Sequence, residues 1–244
     1  MNDKEQIYLH TLDTGLRLVH VLRNSPVAWC GLAVNAGSRD ELEGQYGLAH
    51  FVEHTIFKGT KRRSSTRINN RMEQVGGELN AYTTKESTML YCIFPVEHLE
   101  RAVELLADLV ENSVFPEHEL ATELDVVLEE VASYRDSPSE AVYDDFEDML
   151  LAGSQLGHNI LGEEKDLRRL TSGHCLDWLK RLYVPSNMVF FSLGGTPAEK
   201  VFRLAERYFS ILSHAKRGIK RKAPAVLEPQ RKVVDLGLHQ SHTI

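Results

Sequence analysis

The chain is poor in cysteine: Cys30, Cys92 and Cys175 stand far apart in 244 residues. They form no CxxC pair and no even-numbered framework, which excludes a disulfide-stapled scaffold and a cysteine-rich zinc module. All three read as buried small hydrophobes, and a reducing compartment is the default. No apolar run approaches the ~20 residues that a membrane-spanning helix needs. Positive charge is not in excess. The 28 Lys+Arg stand against 35 Asp+Glu, a net charge of −7, the opposite of the balance that a general nucleic-acid binder shows. The one basic cluster, Lys58 to Arg63 with Arg67, reads as a solvated surface patch. Internal repeats and low-complexity tracts are lacking. The stretch from Met1 to Val21 holds no apolar core of the signal-peptide kind. The cytoplasm is the default compartment on this reading, with a mitochondrial or periplasmic one left open.

What is present is a chain that is 42% hydrophobic, too apolar for a disordered one and long enough to bury a core. Ile7–Leu12 and Leu16–Leu22 read as strands around the turn Asp13-Thr14-Gly15. Val27–Ala36 is a third apolar run. Tyr46–Phe57 and Thr66–Val75 read as helices, the second stopped by Gly76-Gly77. Leu79–Phe94 predicts two strands, and Leu99, Val103, Leu106 and Val110 mark a helix. Pro116 opens another helix, with Leu120, Leu124, Leu128 and Val131 facing the core and Ser137-Pro138 closing it. Helices at Glu140–Leu151, Ser172–Tyr183 and Pro197–Leu212 follow, with strands at Met188–Leu193 and Val233–Leu238. Mixed elements with hairpins early and helices later predict an α+β fold.

The segment that carries chemistry is His50-Phe51-Val52-Glu53-His54, an H-x-x-E-H sequence. Each helical residue turns about 100°, so His50 and His54 lie ~40° apart on successive turns, with Glu53 ~60° from His50. Two imidazoles so placed can grip one metal ion, and the carboxylate beside them can reach water on it. This is the inverzincin order, the reverse of H-E-x-x-H. A third protein ligand is required. Glu123 and Glu130 share one face of the Pro116 helix and Glu129 points elsewhere, although an ordinary acidic helix face has the same spacing.

Several blocks together resemble the pitrilysin-type (M16) metallopeptidases, in the short bacterial and mitochondrial processing peptidase-like form. They are Gly37-Ser38-Arg39-Asp40-Glu41, Gly47 to His54 and Phe57-Lys58-Gly59-Thr60, then Gly76 to Thr83, Val126 to Glu130 and Tyr183 to Met188. The resemblance covers nearly the whole chain in order. It implies a mostly antiparallel β-sheet packed against helices, and a zinc-dependent endopeptidase cutting peptides or small unfolded proteins. His50, His54 and Glu130 match the metal ligands, one Zn²⁺ per chain. Glu53 matches the catalytic base and Glu123 a supporting acidic residue. Asn80, Ala81 and Tyr82 fall on the edge strand to which the family adds its peptide substrate as an extra strand. Residues 217–229, with four basic residues and two prolines, read as a linker by composition; the resemblance further implies residues 1–216 as the zinc-binding domain and 230–244 as the start of a second domain that this chain lacks. That absence implies a second domain, a partner subunit or a homodimer. The competing expectation is a non-catalytic or half-site subunit that binds peptide and needs a partner for activity.

Overall fold

Asp13-Thr14-Gly15 reverses the chain between β1 (Gln6–Thr11) and β2 (Arg17–Leu22), with Gly15 at φ +89°, a value that suits only glycine well. A computed structural model describes residues 6–212, 220–225, 228, 230–235, 237 and 239–244. Beyond this hairpin lie β3 (Val27–Val34), α1 (Leu48–Thr55), α2 (Ser65–Glu73), β4 (Glu78–Thr83) and β5 (Thr88–Pro95). Then come α3 (Leu99–Asn112), α4 (Glu117–Arg135), α5 (Pro138–Leu150), α6 (Glu164–Leu167), α7 (Ser172–Leu182), β6 (Met188–Gly194) and α8 (Ala198–Phe209). The strands form one sheet in the order β1-β2-β6-β3-β5-β4. Every pairing is antiparallel except β2 with β6. The expected α+β class, a mostly antiparallel sheet with helices, is the one observed.

Strand alternation gives the sheet two unlike faces. Leu18, Cys30, Leu32, Leu90, Cys92, Phe94, Met188 and Phe190 are buried on one face, beneath α3 and α8. Val19, Trp29, Met89, Tyr91, Ile93, Phe191 and Leu193 lie half-buried on the other. There the ring of Phe191 covers Gly31, where a Cβ would come within 2.5 Å of it and within 2.4 Å of the Leu90 carbonyl, so only glycine fits. The three cysteines are free and buried, as the sequence predicts.

Helix α1 packs against β4, α4 and α7. Leu48, Phe51 and Val52 are fully buried, each contributing about 1.5–3 kcal/mol. Its first turn is capped from outside. The buried Glu41 carboxylate accepts from the Gly47 N–H at 3.0 Å and the Ala49 N–H at 2.7 Å, and lies 3.0 Å from His158 Nε2. A helix start leaves its first N–H groups without intrahelical partners, and this carboxylate takes two of them. Entry into α4 is set by Phe115, whose buried ring holds the backbone at φ +48°, at a cost of about 1–2 kcal/mol.

Four expectations are corrected. The buried stripe of α4 is Leu120, Glu123, Val127 and Val131, while Leu124 and Leu128 are only partly buried at the rim of the core. Ser137-Pro138 does more than close α4: Pro138 is the first residue of α5. The basic cluster is not simply solvated, since Arg63 pairs with Glu104 and the buried Asp108, and Lys58 with Glu123. No strand forms at Val233–Asp235, because a strand needs a ladder partner and Val233 and Val234 are 77% and 51% exposed. Positions 236 and 238 of that expected strand, and 217–219, 226, 227 and 229 of the expected linker, lie outside the described residues. Residues 220–225 form neither helix nor strand, and Arg221 there makes a two-pronged bridge to the buried Asp40, at 3.1 and 2.7 Å.

Glu41→Ala removes the cap of α1 and should cost about 2 kcal/mol of stability, read as a lower urea midpoint. An unchanged midpoint would show that the cap is dispensable.

Candidate metal centre

Helix α1 presents His50 and His54 one turn apart, and α4 lies across them. His50 Nε2 and His54 Nε2 are 3.2 Å apart. Glu130 Oε2 is 3.6 Å from the first and 3.4 Å from the second. Among the described residues these three form the one group whose ligand atoms converge in this way, all within 4.8 Å. The spacing fits a shared cation. Donors ~2.0–2.1 Å from a tetrahedral ion stand ~3.3–3.4 Å from one another. The chemistry fits as well, since two imidazole nitrogens and one carboxylate oxygen suit zinc. Without a cation between them, two imidazole lone pairs and a carboxylate would face each other at close range, which is unfavourable.

The partners of these side chains set their roles. His54 Nδ1 lies 3.0 Å from Glu123 Oε1, so this nitrogen carries the hydrogen and Nε2 is left as a lone pair aimed at the cluster. The other Glu123 oxygen meets Lys58 Nζ at 2.5 Å. Burial pushes the Glu123 carboxyl up, but Lys58 and His54 outweigh it and hold it below the usual value. Burial, and then the neighbouring His54, push His50 down to about 4, so it is neutral and able to donate its lone pair at pH 7. His50 Nδ1 is buried with no hydrogen-bond partner among the described residues.

Glu53 sits beside this cluster and faces β4. Burial raises its carboxyl above the ordinary value, Thr83 and His54 oppose that rise, and Glu130 adds to it. Glu129 is exposed and stays out of the cluster, as the helical phase predicts. Strand β4 is an edge of the sheet. Its Ala81 N–H is met by the strand's own Asn80 Oδ1 at 2.8 Å, and Asn80 Nδ2 donates to Glu78 Oε1 at 3.1 Å. Alternation divides the strand's side chains. Ala81 and Thr83 point to the side of α1. Asn80 and Tyr82 point the other way, and Tyr82 rests edge-on against Tyr91, with centroids 6.3 Å apart.

Sequence reasoning gave no role to Lys58, Glu41, His158 or Thr83. The signal for Lys58 was its place four residues after His54, but a salt bridge to a helix so remote in sequence has no local signature. The same holds for His158, whose ring packs at a tilt against Tyr46 and whose Nε2 reaches Glu41.

An antiparallel sheet backed by helices, with two imidazoles and a carboxylate converging beside its edge strand, is the arrangement expected of a metallopeptidase domain. Comparison with known proteins agrees. Residues 19–164 match the model for insulinase (peptidase family M16), and residues 169–243 match that for the peptidase M16 inactive domain. The chain belongs to the M16 peptidase family. It is 35% identical over 186 residues to an uncharacterized zinc protease of Rickettsia felis, covering 76% of this chain and 45% of that protein. It is 35% identical over 207 residues to the beta subunit of the mitochondrial-processing peptidase of Rattus norvegicus, covering 83% and 42%. A protease from Helicobacter pylori superposes with a TM-score of 0.84 at 26% identity, over 93% of this chain and 55% of that one. The chain thus spans under half the length of these two curated relatives. No helix among the described residues is long and apolar enough to cross a membrane.

Proposed function

We propose that this chain is the metal-binding, catalytic half of a zinc-dependent endopeptidase that hydrolyses peptides or small unfolded proteins. The observation that carries the proposal is the convergence of His50, His54 and Glu130 next to Glu53 and the edge of β4. Family membership and the zinc proteases among the relatives support it.

His50, His54 and Glu130 would hold one zinc ion per chain. Bound there, zinc supplies Lewis acidity that brings the pKa of a water towards ~7. Glu53 accepts the proton of the attacking water and passes it to the nitrogen of the leaving amine, so the two halves of the peptide gain the elements of water between them. Its raised carboxyl suits a group that must both take and return a proton. Glu123 orients His54. The outer side of β4 offers backbone groups to an extended peptide, which adds as a further strand. Backbone pairing holds many sequences alike, and Ala81 and Thr83 line the side nearest Glu53. Asn80 serves the strand by holding the Ala81 N–H until substrate replaces it. Tyr82 faces away from Glu53 and supports the strand through Tyr91.

A half-site is the second reading, favoured by the short coverage of the relatives. On it the chain binds zinc and peptide and needs a second domain, a partner subunit or a second copy for turnover. Metal content by mass spectrometry, with cleavage of a quenched fluorescent peptide, separates the two. One zinc with cleavage supports the first. One zinc with cleavage only after a second half is supplied supports the second. Absence of zinc overturns both.

Glu53→Gln should keep the zinc and lower cleavage by about 100-fold or more; retained cleavage would remove Glu53 as the base. Glu130→Gln should weaken zinc by more than about 100-fold, beyond the loss from an outer-sphere change, while Glu129→Gln leaves it unchanged. The reverse order in a zinc titration would move the ligand by one residue.

A further inference from the structure

The segment that follows α1 is held against the segment that leads into α4. The Lys58 N–H bonds to the Thr55 carbonyl at 3.0 Å, and the Gly59 carbonyl accepts from the Val114 N–H at 3.1 Å. Thr60 bridges to Ser113. A Cβ at Gly59 would stand 3.3 Å from Pro116 Cγ, so the two segments touch. Lys58 is therefore fixed by its backbone at the junction of the two helices that carry the candidate metal ligands. Its ammonium reaches Glu123 Oε2 at 2.5 Å, while Glu123 Oε1 meets His54 Nδ1 at 3.0 Å. The Glu123 side chain is 10% exposed and that of Lys58 25%, so the pair is shielded and stronger than one in open solvent.

We propose that Lys58 is a positioning residue for the metal centre: its ammonium fixes the Glu123 carboxylate, which in turn fixes the tautomer and ring orientation of His54. A carboxylate with one oxygen on an imidazole N–H and the other unheld could rotate, or turn outward to water. Lys58 takes the second oxygen and leaves one arrangement. His54 then keeps its hydrogen on Nδ1 and its lone pair on Nε2, where Glu130 and His50 converge. His50 has no such brace among the described residues, so the order of the centre rests on the His54 side. The inference depends on the zinc reading above, and the experiment separates the two.

The test is Zn²⁺ competition against a chelating dye, with thermal melting in excess chelator, on the 244-residue chain. Lys58→Met should weaken zinc about 10-fold, the lower end of the effect of an outer-sphere change. Lys58→Gln should do the same, and Lys58→Arg should restore affinity to within about threefold of the wild type, since it returns the charge. In a Glu123→Gln background, Lys58→Met should add no further loss, because its path runs through that carboxylate. Wild-type affinity in both uncharged variants would overturn the proposal. So would losses that multiply in the double variant, or a lower melting temperature in chelator with zinc affinity intact. Failure of the wild-type chain to take up zinc would overturn the zinc reading itself, a different result from any of these.

Discussion

Everything at the candidate site depends on α1 lying against α4 with polar side chains between them. Two helices of this kind ordinarily meet through apolar stripes. Here the α4 stripe is broken by a buried glutamate, and α1 turns two imidazoles towards it. Such groups are stable in a core only when each has a partner. His54 has Glu123, Glu123 has Lys58, and His50 with Glu130 completes a set of donors around one point. The apolar residues of α1 fix where the helix goes. The polar ones fix how it can be used.

The same economy appears at the other end of α1. Gly47 at φ +94° brings the backbone in through a left-handed turn, and a side chain there would meet the Leu161 carbonyl. With no side chain of its own for capping, the helix borrows Glu41, and Glu41 is held by His158. The loop after α5 is thereby tied to the start of the helix that bears His50 and His54.

Much of this was legible in the residues. The helix at His50–His54, the hairpin of β4 and β5, and the phase that separates Glu130 from Glu129 all follow from local periodicity and spacing. The parts that were not legible are pairings between distant segments. Lys58 with Glu123, Glu41 with His158 and Arg63 with Asp108 come from tertiary approach, for which a single sequence has no local marker. The strand expected from Val233 was misread over Val233–Asp235 for a related reason. Alternation of apolar and polar residues describes a segment that could pair, and pairing depends on a neighbour. Asn80 and Tyr82 sit on the expected strand, and the pleat turns their side chains to the face opposite Ala81 and Thr83.

His50 and His54 are neighbours on one helix, but α2, β4, β5 and α3 intervene before Glu130. The donors therefore meet only after the sheet edge and the long α3 have found their places. An unfolded chain can offer a cation the two histidines at most. Any ion that needs all three donors binds the folded state alone and acts as a removable cross-link between α1 and α4. At a free concentration 100 times its Kd, such an ion adds about 2.7 kcal/mol to stability. That exceeds what the cap on α1 contributes, so on the zinc reading the supply of metal and the stability of the fold would be linked quantities.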